Sequence, residues 1–202
     1  MNKIKDNTMN FIIDEALKLF MKKSIASVTM TEIAKEVGIG DATLYRYFKK
    51  KQNIVLASIV KLSDDVLRIY FSLDDKLSGI DSIKAFYGAY LEVYKEHKQY
   101  FKLIYEFDAY LISEKNVEKL EYEREIDCYK NIFLNCYHKA ILDKTINEIK
   151  DVDVFYYSTT HSLLSLCKML SIDNVIAQDA SSRKEDEIRT LISIIINFLA
   201  WV

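Results

Sequence analysis

A run of hydrogen-bonding and cationic side chains suited to recognition chemistry lies between residues 29 and 51. It holds Thr29, Thr31, Asp41, Thr43, Tyr45, Arg46, Tyr47, Lys49 and Lys51, with Ala42 among them. This mixture suits non-covalent recognition of a polyanion: ammonium and guanidinium groups hold phosphates, while hydroxyls and guanidinium reach base edges. The rest of the chain is poorly equipped for catalysis. His97, His138 and His161 are isolated, and Cys136 and His138 stand two apart, on different faces of a helix. There is no Cys-x-x-Cys set, no Glu-x-x-His pair, no glycine-rich phosphate loop and no nucleophile elbow. The expectation is a chain with no catalytic residues, no metal and no cofactor.

These residues need helices to position them. Thr29-Met30-Thr31-Glu32 reads as a capping box, in which Thr29 accepts from the Glu32 backbone and the Glu32 side chain reaches back. The helix it opens should stop at Gly38, a left-handed residue after the last turn. Gly38-Ile39-Gly40 then separates it from a short helix over 41–47. Ala34 offers a small contact residue, Gly38 the turn, and Leu44 the apolar lock that two steeply crossing helices require. Ile33, Val37 and Ile39 add apolar contacts. With Leu44 and Phe48 inward, Thr43, Arg46 and Tyr47 face outward and Tyr45 lies at an edge. An ordinary helical corner with a solvated polar face would show part of this pattern, but the capping box and basic flank favour a helix-turn-helix. A first helix over 6–23 carries the stripe Ile13, Ala16, Leu17 and Phe20, and a fourth starts at Lys51 and runs to about residue 73.

The whole chain supports that reading. Its 202 residues include no proline and four glycines, where average usage gives roughly 10 and 14. Turn-rich β architectures are excluded, and an all-α fold is expected. Residues 1–51 carry 10 Lys and Arg against 6 Asp and Glu, a net +4 within a chain of net −2, so a basic head joins an acidic body. Further helices are expected at 80–96, 98–113, 116–142, 151–173 and 184–201, with joints at Asp173-Asn174 and Asp179-Ala180-Ser181-Ser182. The polar start MNKIKDNTMN lacks a secretory apolar segment, and three scattered cysteines suit reduced thiols in a cytoplasm. The apolar stretch 191–202 is too short for a bilayer, so no membrane is expected.

From Thr29 to Lys51, with Ala16 to Phe20 before it, the sequence resembles the DNA-binding domain of the TetR/AcrR family of bacterial repressors. The Leu-Tyr-Arg-Tyr-Phe core at 44–48 is the most specific part, and the resemblance covers the first 50 to 60 residues. It implies an all-α homodimer with a three-helix head (residues 1–52) and a larger helical effector-binding and dimerisation domain (53–202). Such a dimer binds double-stranded operator DNA and releases it when a small ligand enters the body. By position, Thr43, Tyr45 and Tyr47 match residues that touch bases or phosphates, Lys51 matches a phosphate-gripping lysine, and Thr29 matches a cap near a phosphate. Two residues depart from the pattern. Ser24 replaces the usual glycine after the first helix, at about 1 kcal/mol if held left-handed. Gly40, which Asp41 follows, replaces a frequent serine. Asp41 suits the helix dipole and could accept from a cytosine amine, yet it would repel phosphates.

In the body, Tyr87, Tyr90 and Tyr94 share one helix face, and Tyr105, Tyr110, Tyr129 and Phe133 continue an aromatic-rich segment. Such a stripe makes either core or the wall of a cavity with hydroxyl handles, and few ionisable groups interleave, so a hydrophobic or aromatic effector is expected. Apolar residues from Leu191 to Trp201, including Ile195 and Phe198, surround the last helix more completely than one buried stripe needs. Ser158, Ser162 and Ser165 permit close approach on the helix before it. These helices are read as an isologous dimer surface, the alternative being burial within one subunit. The functional expectation is a cytoplasmic ligand-responsive regulator of transcription, with repressor and activator both open. The rival reading is an all-α small-molecule-binding protein with no DNA role.

Overall fold

The computed structural model describes residues 3–114, 120–172 and 183–201. Eight helices and no strand occur among them: α1 (Lys3–Lys22), α2 (Met30–Val37), α3 (Asp41–Tyr47), α4 (Lys51–Tyr70), α5 (Gly79–Ser113), α6 (Leu120–Leu142), α7 (Val152–Ser171) and α8 (Lys184–Trp201). The all-α expectation holds. The joints expected at 173–174 and 179–182 lie outside the described residues. The chain divides into two compact units, one of residues 1–64 with 103–123, the other of 65–102 with 124–202.

In the first unit, Ile12, Ala16 and Phe20 of α1, Ile33 and Ala34 of α2, Leu44 of α3 and Ile54, Val55 and Ile59 of α4 are almost free of solvent. The α1 stripe is rotated from the expected one, because Leu17 is half-buried while Ile12 and Leu19 turn inward. After α1 the chain turns through Ser24, whose carbonyl accepts from the Ser27 and Val28 backbone N–H groups. Among the described residues only Lys144 and Gly38 have positive φ, so Ser24 carries none of the strain that a left-handed glycine position would impose. The link from α2 to α3 follows the sequence closely. Thr29 caps α2 with both halves of the capping box formed, and Gly38 ends it at φ 77°, its N–H bonded back to the carbonyls of Ala34 and Lys35.

In the second unit, α5 begins where Ser78 and Asp81 exchange side-chain and backbone hydrogen bonds. Gly79 is required there by proximity: a Cβ would lie 2.1 Å from the Cα of Ala140 in α6. The Gly79 N–H donates to Asp143 and the Ile80 N–H to Thr145, so the residues after α6 satisfy donors that the start of α5 leaves open. The sequence suggests two helices, 80–96 and 98–113; the structure has one span, α5, interrupted at His97, whose φ of −136° and ψ of 48° are not helical. With no proline or glycine at the break, the hydrogen-bonding pattern resumes directly on its far side. The fourth helix stops three residues short of expectation, at Tyr70, and Phe71 turns into the aromatic core edge-on to Phe86, Tyr90 and Tyr129.

Candidate nucleic-acid interface

The short helix α3 owes its orientation to Leu44 and Phe48, 0% and 4% exposed. Anchoring i and i+4 leaves the opposite arc free. On that arc Tyr45 is 49% exposed, Asp41, Ala42 and Arg46 are exposed, and Thr43 and Tyr47 are half-buried. Tyr45 is therefore further out than an edge position, and Tyr47 further in. The Arg46 guanidinium lies 5.7 Å from the centroid of the Tyr47 ring, a stacking that limits both side chains.

Around α3 the flanking side chains form a small polar lattice. The Thr31 hydroxyl donates to Asp41 Oδ2 at 2.8 Å, joining α2 to α3. Gly40 is the N-cap of α3 and makes no side-chain cap, so Asp41 acts as a link to α2 rather than as a cap. Thr29 is exposed, with its hydroxyl and N–H both engaged by Glu32. Lys23 donates to the same Glu32 carboxylate at 2.7 Å. That hydrogen bond, aided by those from Thr29, draws the Glu32 carboxyl down to about 2 from the usual 4.5.

Lys49 is exposed beyond α3. Lys51 is half-buried: its ammonium donates to the Ala26 carbonyl at 3.1 Å and lies 5.6 Å from the centre of the Tyr110 ring. Burial lowers its pKa against the pull of Glu114 and Glu32. Tyr110 belongs to a stripe of α5 that sequence reasoning missed. Glu106 accepts from the Ile25 N–H at 3.0 Å, and Glu114 accepts from the Gln52 side chain at 2.6 Å. Residues 106, 110 and 114 recur at i, i+4 and i+8, a periodicity visible in the sequence, but their targets 60 to 80 residues away are not.

The expected ligand-lining residues separate. Tyr105, 44% exposed, and Tyr110 fall in the first compact unit. Tyr87, Tyr90, Tyr94, Tyr129 and Phe133 fall in the second, where Phe133 lies 6.0 Å from Tyr87 and 5.5 Å from Phe86. The Tyr87 hydroxyl pairs with that of Thr159 at 2.7 Å, and the Tyr94 hydroxyl donates to the Leu170 carbonyl. Burial raises the pKa of Tyr87, Tyr90 and Tyr129, so these hydroxyls stay protonated donors. In the same unit an open groove of about 480 Å³ runs between Ile69, Leu73, Leu91, Glu92, Arg189 and Ile192.

On α7, Ser158, Ser162 and Ser165 are exposed beside Val154 (60%) and Met169 (44%). On α8, Ile188, Ile195 and Leu199 point inward, whereas Ile194 (60%) and Phe198 (51%) point outward and Leu191 is half-buried. Phe198 stacks on Phe155 of α7 with centroids 5.6 Å apart. Of the expected dimer residues, then, Ile195 belongs to the subunit core and its neighbour Ile194 to the surface. No group of three or more potential metal ligands occurs among the described residues.

A capped helix, a left-handed glycine and a short helix anchored by Leu44 and Phe48 define a helix-turn-helix protein of the all-α class. Residues 12–58 match the family model for bacterial regulatory proteins of the tetR family. The helix-turn-helix transcriptional regulator YerO of Bacillus subtilis is 23% identical over 177 residues, 85% of this chain and 60% of YerO. YvkB, another such regulator of that organism, is 37% identical over 54 residues, 27% of this chain and 29% of YvkB. The chain thus spans 60% of YerO and 29% of YvkB, less than two thirds of either relative's length. Among solved structures, Salmonella enterica GusR superposes with a TM-score of 0.70 at 17% identity, covering 96% of this chain and 95% of that one. A putative TetR-family transcriptional regulator from Mesorhizobium loti gives 0.71 at 14%, covering 98% of both. At these identities the structures establish the fold.

Proposed function

We propose that the chain is a ligand-responsive DNA-binding regulator of transcription, a cytoplasmic homodimeric repressor that a small hydrophobic or aromatic effector releases from double-stranded operator DNA. One observation carries this reading: α3 is locked down by Leu44 and Phe48 while Tyr45 and Arg46 are exposed on its far side. A helix so held enters a major groove with its outward residues against the bases, and Lys49 and Lys51 lie close in sequence for phosphates. Residues 1–52 form the DNA-contacting head, and 53–202 the effector and dimer domain.

Two further features support the reading. Ile194, Phe198, Val154 and Met169 leave apolar surface on α7 and α8, beside serines that permit close helix approach. A second copy covers such a face by two-fold symmetry and sets two heads roughly 34–36 Å apart, on successive major grooves. The buried rings around Phe133, with the Tyr87 hydroxyl paired to Thr159, make an apolar, uncharged surrounding of the kind an aromatic ligand needs. An effector that fits only one spacing of the heads shifts the population away from the DNA-competent one.

The test is a gel shift with the DNA upstream of the protein's own gene, repeated over a salt series. A regulator retards that fragment with affinity falling steeply as salt rises. An all-α small-molecule carrier with no DNA role leaves it unshifted at low salt.

A further inference from the structure

On a face suited to phosphates, a carboxylate is an anomaly, and Asp41 is such a carboxylate. It is exposed at the start of α3, within a segment of net positive charge. Among the described residues its one hydrogen-bond partner is the Thr31 hydroxyl, which donates to Oδ2 at 2.8 Å. No cation pairs with it, and Oδ1 points to no protein donor. The short link fixes the carboxylate against α2 and leaves its second oxygen as a held, acceptor-only group beside Ala42 and Thr43.

We infer that Asp41, positioned by Thr31, is a base-reading residue that selects cytosine; the inference rests on the DNA-binding reading above and deepens it. The selection follows from what each base shows in the major groove. Guanine presents two acceptors and thymine an acceptor with a methyl group, and both repel or waste a carboxylate. Adenine presents an amine beside the acceptor N7, which a carboxylate with no proton cannot satisfy. Cytosine alone presents an amine with no acceptor on its own edge, only C5–H beside it. Phosphate is rejected by like charge, so Asp41 weakens non-specific binding while it rewards one base. Thr31 supplies the order: without its hydrogen bond the carboxylate turns freely, and the preference blurs.

The full-length chain is used to select duplexes from a randomised pool, and affinities are then measured for duplexes varied at each enriched position. The wild type is expected to enrich cytosine at one position per half-site, with other bases there costing about tenfold. Asp41→Asn should lose most of that preference and bind non-specific duplex more tightly, since a negative charge is gone. A residue that merely stabilised the fold would move both quantities downward together. Thr31→Val keeps the charge and the helix, and should blunt the cytosine preference while leaving non-specific affinity near that of the wild type. An unchanged base profile in Asp41→Asn overturns the assignment to Asp41, and an unchanged profile in Thr31→Val overturns the positioning role. A wild-type chain that retains no duplex from the pool at low salt refutes the regulator reading itself.

Discussion

Lys51 shows how one side chain can serve two partners. Its ammonium is held between the Ala26 carbonyl and the Tyr110 ring, and it sits at the first turn of α4, where backbone N–H groups are also open. An ammonium has three protons, and the carbonyl takes one. Replacing Lys51 by alanine should weaken binding to every DNA sequence alike and reduce the slope of log affinity against log salt by about one. Thr43→Ala should instead change base preference at little cost in slope. Equal slopes for Lys51→Ala and wild type in the salt series would remove Lys51 from the phosphate contacts. Glu32 gives a second test at this scale. Its carboxyl titrates at about 2 in the folded chain against the usual 4.5, so the folded state binds its proton less readily than the unfolded one. The stability it contributes is complete above pH 4.5 and is lost as pH falls toward 2. Thermal unfolding followed over that range should therefore show a smaller fall for Glu32→Gln than for wild type. Its side chain is well exposed, so the difference should be modest, and parallel curves would show that Lys23 and Thr29 add no stability through this charge.

At the scale of elements, what the sequence made legible was local. The capping box at Thr29, the turn at Gly38 and the limits of α3 follow from residues within four positions of one another, and each is found where the pattern puts it. Long-range proximity was not legible. Tyr105 and Tyr110 read as continuations of the tyrosine stripe, yet α5 passes from one compact unit to the other between Lys102 and Leu103, and its register there serves the head. In α8 the run Ile194-Ile195-Ile196 is apolar all round, so periodicity could not say which isoleucine points inward; in the structure it is Ile195. Gly79 is a third case. It lies just before the helix expected from residue 80, and its role is to let α5 touch Ala140. The obstacle to a methyl group there is backbone, which cannot rotate aside. Gly79→Ala should cost about 1–3 kcal/mol, the usual range for forced overpacking, read as a lower midpoint in urea. Gly88→Ala, whose Cβ would meet nothing within 4 Å, is the control and should be neutral or slightly stabilising. If both substitutions left the midpoint in place, the close approach of α5 and α6 would be wrong.

At the scale of the whole molecule, the question is whether two copies act together. A single head with a seven-residue recognition helix buries little DNA surface, and the affinity of such proteins comes from joining two heads through one body. The apolar residues left outside on α7 and α8 are the means proposed for that joining, and Ile194 is the best place to test it. It is 60% exposed, so a charge there removes little from the subunit's own core, whereas Ile195 at 5% would confound association with folding. In a two-fold interface each substitution is made twice, and two glutamates brought into one apolar seam oppose association by desolvation as well as repulsion. Ile194→Glu should therefore be monomeric by light scattering at micromolar concentrations where the wild type is a dimer, with a helical signal unchanged by circular dichroism. Its affinity for a two-half-site duplex should fall about a hundredfold or more, toward that for one half-site, because the second contact is no longer intramolecular. A variant that stays dimeric would put the interface elsewhere. A variant that is monomeric yet binds the full site as tightly as wild type would show that pairing through α7 and α8 contributes nothing to the grip on DNA.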